Sequence, residues 1–385
     1  MPEIAEVARI VHFLRQRLVG KTISTAAAID DGVVFGKVGT TGKAVETALK
    51  GNKVISVGSQ GKYFWITLEK PPHLVMHLGM TGWVHIKGEK TAYTNYYKKQ
   101  KNGDVEEWPP KFWKFHVATT DDPSVEVAFV DSRRFGRVRL VDCPGDKIRS
   151  HSPLVENGPD PVVDKDRFTE EYLAGKMKKR HVPIKALLLD QAMISGIGNW
   201  VADETLYQAK LHPEQYSDTF TGAQITTLHE MIRYVCQTAV DKLGDSDEFP
   251  NHWLFNHRWG KGGKGAASVL PNGEKLAFIT VGGRTSCYAP GVQKKTGAVA
   301  PGAKAEPVKS EPEEDEGIKQ VPKKSRKKLV AIKPDPEGSD EEGPSTKKRR
   351  TKQTKSVKEE ETPAAKVSDE TNEVDGRRRS SRLRK

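Results

Sequence analysis

The chain has 385 residues, 30% of them charged, and a formal net charge of +12. No run of about 18 apolar residues occurs, so no membrane-spanning helix is predicted, and no apolar secretory segment is expected at the start. Cys143, Cys236 and Cys287 are odd in number and far apart, which argues against a disulfide framework or a four-thiolate zinc site and for a reducing compartment, while the basic balance suits a polyanion such as nucleic acid.

The chain opens Met1-Pro2-Glu3. Once Met1 is removed, Pro2 presents a secondary amine that can attack an aldehyde carbon and form an iminium. Glu3 then supplies a neighbouring carboxyl group for proton transfer. Val7, Ile10, Val11, Leu14 and Leu18 recur at helical spacing, which predicts an amphipathic helix over residues 3–18 with Pro2 at its first position. Glu3 and Glu6 share the first turn of that helix, where carboxylates also complement the dipole.

Residues 21–145 read mainly as strands: Lys53 to Val57, Tyr63 to Leu68, Leu74 to His77, Val84 to Ile86, Phe112 to Thr119, Val125 to Val130 and Gly136 to Val141. Their number and length predict a β-sandwich. Residues 88–111 are polar and read as an inserted loop. Gly158-Pro159-Asp160-Pro161 marks a linker, and from about residue 167 to 245 the period becomes helical, clearest at Ile225, Leu228, Ile232, Val235 and Ala239. Within this region Gly196-Ile197-Gly198-Asn199 opens a new helix, whose backbone N–H groups, with Asn199, form an anion site suited to phosphate. Residues 251–296 suggest a β-hairpin. Residues 297–385 contain no aromatic residue, Cys or His and carry 23 Lys and Arg against 18 Asp and Glu, so the tail is predicted to be disordered. Its basic clusters, such as Lys347-Lys348-Arg349-Arg350, predict a nuclear address.

Taken in order, Met-Pro-Glu, Gly61-Lys62-Tyr63, His77-Leu78-Gly79-Met80-Thr81-Gly82, Asp131-Ser132-Arg133-Arg134-Phe135-Gly136, the Gly-Pro-Asp-Pro linker and the Gly-Ile-Gly-Asn turn closely resemble the formamidopyrimidine-DNA glycosylase (Fpg/Nei) family over residues 1–296. The resemblance implies an α+β chain: an N-terminal helix on a β-sandwich (1–150), a helix–two-turns–helix domain (160–248), a finger (249–296) and the tail (297–385). It also implies excision of an oxidised base from damaged double-stranded DNA and nicking at the abasic site, by a monomer needing no cofactor and no metal.

On this resemblance Pro2 is the Schiff-base nucleophile and Glu3 the general acid. Lys62 is the strand lysine that contacts phosphate and assists elimination. Met80, Arg133 and Phe135 fill the void left by a flipped nucleotide, and Glu6, His77, Arg180 and Asn199 join them among the DNA-binding residues. Instead of a four-cysteine zinc finger, Phe278 to Tyr288 resembles the zincless finger of plant and fungal members, with Arg284 gripping phosphate. A Cys287, His252, His257 metal site fits no standard zinc spacing. A basic architectural DNA-binding protein with the fold but not the chemistry is the alternative; a third, RNA-binding reading leaves Pro2, Arg133 and Phe135 unexplained.

Overall fold

The structure is a computed structural model that describes residues 2–92, 107–258 and 269–297. Helix α1 (Ile4–Leu18) buries Val7, Ile10, Val11, Leu14 and Leu18 on one face, as their spacing requires. Its N-cap is Glu3, whose backbone N–H donates to the Glu6 carboxylate at 2.8 Å. Pro2 therefore lies one residue ahead of the cap rather than at the expected first helical position. The Glu6 side chain, reaching back to the cap amide, sets where the helix begins.

Two antiparallel four-stranded sheets follow. The first has the order β1 (Ile23–Ala28), β6 (Trp113–Thr119), β7 (Glu126–Val130), β5 (Trp83–Ile86); the second has β2 (Val54–Gln60), β3 (Tyr63–Leu68), β4 (His73–His77), β8 (Arg137–Val141). Alternation gives them a shared core. Phe64, Ile66 and Leu68 of β3 and Phe115 and Val117 of β6 join the apolar face of α1, while Trp65 turns to a separate cluster with Val75 and Cys143. The expected sandwich is present. The sequence reading overlooked helix α2 (Gly42–Leu49), whose N-cap hydroxyl, on Thr41, accepts the Ala44 N–H at 3.1 Å.

The second core is helical: α3 (Glu170–Lys178), α4 (Ile184–Leu188), α5 (Asn199–Gln208) and α6 (Gly222–Asp241). Helix α6 begins with a Thr221–Gln224 capping box and buries Ile225, Leu228, Ile232, Val235 and Ala239. A hairpin of β9 (Ala277–Val281) and β10 (Arg284–Tyr288) completes the described chain. The inserted-loop segment 93–106 and the tail from residue 298 lie outside the described residues, as do the expectations placed on them.

Helix α1 belongs to both cores. Ile4 and Ala5 pack in the helical core and Val7 onward in the sandwich. The junction is sewn by backbone contacts. Ile4 N–H donates to the Gly196 carbonyl at 3.1 Å, and Gly61 N–H donates to Asp160 Oδ2 at 2.7 Å. Gly61 has φ +59° and lies so close to the second core that a Cβ there would stand 2.5 Å from Ser195 Cβ. No side chain fits, so glycine is required at this crossing.

Candidate active site

The chemistry gathers at this junction. Glu3 is 2% exposed, and its carboxylate meets the N-terminus of α5. Its Oε2 accepts the N–H groups of Gly198 at 2.8 Å and Val201 at 3.1 Å, and its Oε1 accepts that of Trp200 at 3.1 Å. Three backbone donors and the positive end of a helix hold the carboxylate without any cation in direct contact. A Cβ on Gly198 would fall 2.1 Å from Glu3 Cδ, so the cradle exists because that residue has no side chain. The anion at this helix start is therefore Glu3 itself, not the phosphate expected from the Gly-Ile-Gly-Asn turn. Asn199 leaves its buried Oδ1 without a hydrogen-bond partner in the structure.

Glu6 lies inside the same junction. It accepts the Glu3 backbone N–H and, at 3.2 Å, the Trp200 indole N–H. Burial, followed by the negative charge of Glu3, raises its carboxyl from 4.5 to about 7. Both its oxygens serve protein donors, so it does not take the DNA-facing place expected of it.

Lys62 occupies the two-residue turn between Gln60 and Tyr63, just ahead of β3. Burial lowers its ammonium below the usual lysine range, and the charge of Arg284 works in the same direction. Glu3 and Glu6 oppose that depression. Lys62 in turn, after burial, is the leading positive charge that pushes His77 down to about 4. His77 Nδ1 accepts the Gly79 N–H at 3.0 Å, and the ring packs against Tyr63. Glu3 and Glu6 from the start of α1, Lys62 and His77 from the sandwich and Arg284 from the hairpin therefore share one electrostatic environment.

Beside it stand two loops, 78–82 and 131–136. A Cβ on Gly79 would lie 2.3 Å from the Phe135 carbonyl carbon, so the two backbones touch. Asp131, fully buried, is their clamp. Its Oδ1 accepts from Thr81 Oγ1 at 2.6 Å and from Arg133 N–H at 3.1 Å, and its Oδ2 accepts from Gly136 N–H at 2.6 Å. Arg134 adopts φ +61° and turns its guanidinium onto Asp31, which also pairs with Lys114. Burial disfavours ionisation of Asp31, yet these hydrogen bonds and those from Val33 and Val34 outweigh it and hold the carboxyl well below the usual range. This bracing leaves Met80 37% and Phe135 46% exposed, with Arg133 5.2 Å above the Phe135 ring. Large apolar side chains held outward on braced backbone are suited to displace a base, whereas buried ones would belong to the core.

Arg284 opens β10, exposed, after a Gly282-Gly283 turn with φ +59° and +73°. Two successive left-handed residues make the tight hairpin turn that glycine permits. Asp203 of α5 anchors this hairpin. Its Oδ1 accepts from Ser286 Oγ at 2.6 Å and from Lys185 Nζ, and its Oδ2 accepts from Cys287 N–H at 3.1 Å and from Arg258 Nη2 at 2.7 Å. Burial, then Asp203, raises the Cys287 thiol to about 12. Among the described residues no group of three or more His, Cys, Asp or Glu could hold a metal.

Arg180 is half-exposed, and its guanidinium pairs with Asp190 in this structure. Sequence reasoning missed the residues that support the site: Asp131, Asp160 and Asp203. Asp131 and Asp160 stood inside motifs already noticed, and their burial was the unseen part.

Residues 1–138 match the formamidopyrimidine-DNA glycosylase N-terminal domain, and residues 157–249 match the formamidopyrimidine-DNA glycosylase H2TH domain. A formamidopyrimidine-DNA glycosylase of Arabidopsis thaliana is 39% identical over 320 residues, spanning 82% of this chain and 78% of the relative. One from Pelotomaculum thermopropionicum is 30% identical over 303 residues, spanning 76% of this chain and 99% of the relative. Among solved structures, a formamidopyrimidine-DNA glycosylase of Lactococcus lactis, non-covalently bound to DNA containing an AP site, aligns at 25% identity and a TM-score of 0.59 over 76% of this chain and 100% of that one.

Proposed function

Because the chain belongs to the formamidopyrimidine-DNA glycosylase family, we propose that it excises oxidised bases from duplex DNA and then cleaves the strand as an AP lyase. The carrying observation is Glu3, a buried carboxylate fixed by three backbone amides one residue from Pro2. With Met1 removed, the Pro2 nitrogen attacks C1′ of the damaged nucleotide. The bond from C1′ to the base breaks, and the base departs with a proton. The amine loses its proton as the C1′–O4′ bond opens, giving an iminium. The Glu3 carboxylate takes that amine proton and passes it to O4′ in the opening, and the proton on the departing base comes from water. Loss of a C2′ proton then expels the 3′ phosphate, loss of a C4′ proton expels the 5′ phosphate, and water hydrolyses the iminium to free Pro2.

Lys62 is suited to the phosphate beside the reacting sugar, being buried, short of water and adjacent to Arg284 in charge. Met80, Arg133 and Phe135 take the place of the extruded nucleotide, with Arg133 able to bond the orphaned base. The hairpin acts as a zincless finger in which the Asp203 ion network does the anchoring and Arg284 holds two phosphate oxygens. An enzyme acting on nuclear DNA as a monomer, with the basic tail as its address, fits these parts. Trapping decides the chemistry. Borohydride with abasic-site DNA should give one covalent adduct, located on the peptide beginning at Pro2 by mass measurement. An adduct on a lysine, or none, defeats the Schiff-base reading and favours a purely DNA-binding protein. Metal analysis should find no stoichiometric zinc.

A further inference from the structure

Phe112 is unaccounted for by any of this chemistry. It was expected to open a strand, but β6 starts one residue later, and Phe112 stands outside it with φ +66°. A left-handed backbone costs a residue with a Cβ roughly 1–2 kcal/mol. The ring gains no burial in return: it is 52% exposed, more than Phe135. A left-handed backbone and an exposed ring together single Phe112 out as suited to contact outside the fold.

Register fixes where it stands. Strand β7 lies between β5 and β6, and Val130 pairs with both Trp83 and Trp113. The start of β5, the end of β7 and the start of β6 thus lie side by side on one rim. Neighbouring strands are about 4.8 Å apart, so β5 and β6 are separated by about 10 Å there. Met80 precedes β5, Arg133 and Phe135 follow β7, and Phe112 precedes β6. The rim is braced as a unit. Asp131 N–H donates to the Phe112 carbonyl at 3.1 Å, and Lys114 and Arg134 meet on Asp31. The Lys111 ammonium lies 5.2 Å from the Phe112 ring centre, which places a cation suited to backbone phosphate beside it.

We propose that Phe112 is a fourth DNA-contacting side chain of this rim, stacking on the orphaned base opposite the extruded nucleotide. This rests on the glycosylase reading, because only an extruded nucleotide leaves an unpaired base beside Met80, Arg133 and Phe135. An aromatic face suits any base, and stacking of this kind is worth about 1–3 kcal/mol per base by alanine substitution.

The test uses the full chain and a short duplex with a tetrahydrofuran abasic-site analogue facing 2-aminopurine. The analogue has no leaving group and forms no iminium, so binding is measured without chemistry. Phe112→Ala should bind this duplex about tenfold more weakly and leave the 2-aminopurine brighter than in the wild-type complex, since stacking quenches it. Phe112→Tyr should restore both. Affinity for a single strand carrying the same analogue should be unchanged in all three proteins, because no opposite base is present. Wild-type affinity and quenching in Phe112→Ala, an equal loss on the single strand, or failure of Phe112→Tyr to restore binding would each overturn the proposal. Failure of the glycosylase reading shows separately, as absence of a borohydride-trapped adduct in the wild type.

Discussion

Two buried carboxylates serve helix α5, Glu3 at its N-terminus and Asp203 within it, and they are satisfied in opposite ways. Asp203 meets two cations, Lys185 and Arg258, together with a hydroxyl and a backbone amide. Its charge is consumed where it stands, and its effect is mechanical: it joins the helical lobe to the hairpin. Glu3 accepts only backbone N–H groups, which stabilise a negative charge without cancelling it. Its charge still acts on its surroundings, opposing the depression of Lys62 and raising Glu6. Saturation by cations marks the structural carboxylate. Support by dipoles alone leaves the charge of Glu3 available, and its place one residue from Pro2 suits it to chemistry; Asp131, supported likewise but remote from Pro2, only clamps its loops.

Substitution should separate the two. Glu3→Gln retains the shape and loses the transferable proton, so single-turnover base excision should fall about 10²–10⁴-fold. One of the backbone N–H groups that Glu3 holds also loses its acceptor to the amide NH2, so stability should fall by about 1–3 kcal/mol, far less than the rate. Gly198→Ala should reproduce that kinetic loss by driving a methyl group into the Glu3 site. A fully active Glu3→Gln enzyme would mean that its position is merely structural.

Asp203→Asn should invert the pattern. It strands Lys185 and Arg258 with reduced compensation in the interior, a change worth about 3–5 kcal/mol of stability. Denaturant unfolding should show that loss, while the folded fraction at low temperature keeps its excision rate far better than Glu3→Gln does. A collapse in rate at unchanged stability would erase the distinction between the two carboxylates.

The difference also explains what was legible in the sequence. Periodicity found α1, the strands and α6 because each depends on near neighbours: three- and four-residue spacing in Ile225 to Ala239, alternation in Phe64 to Leu68. Pro2, Glu3, Lys62, Met80, Arg133 and Phe135 stood out through the order of short motifs. Partners across the chain did not. Nothing local tells that the N–H groups of the Gly-Ile-Gly-Asn turn are taken by Glu3, which is 195 residues from Gly198. The pairing of Asp203 with Ser286 spans 83 residues. The pairing of Arg180 with Asp190 was likewise unseen, because it forms only when the chain turns back between them. Phe112 read as strand because aromatic residues favour strands, whereas its backbone answers to the Asp131 amide.

The smallest expected effect probes the electrostatic reach of Glu3. Burial first, and then the uncancelled charge of Glu3, makes Glu6 resist ionisation, so that its carboxyl stands at about 7 rather than 4.5. The folded state then binds more protons than the unfolded one between those values. The stability this group contributes is complete below about 4.5 and is lost as pH rises through about 7. Glu6→Gln is neutral throughout, and its carbonyl oxygen can still accept one of the two N–H groups that Glu6 holds. The melting temperature of the wild type should therefore fall by a few degrees relative to Glu6→Gln across that interval. Glu204 is also raised to about 7, by burial, but it titrates in both proteins and cancels in the difference. In Glu3→Gln, where the neighbouring charge is gone, the Glu6 transition should move to lower pH. A wild-type curve parallel to that of Glu6→Gln would show Glu6 ionised in the fold, and a Glu6 transition unmoved in Glu3→Gln would show that the charge of Glu3 is cancelled at its own site.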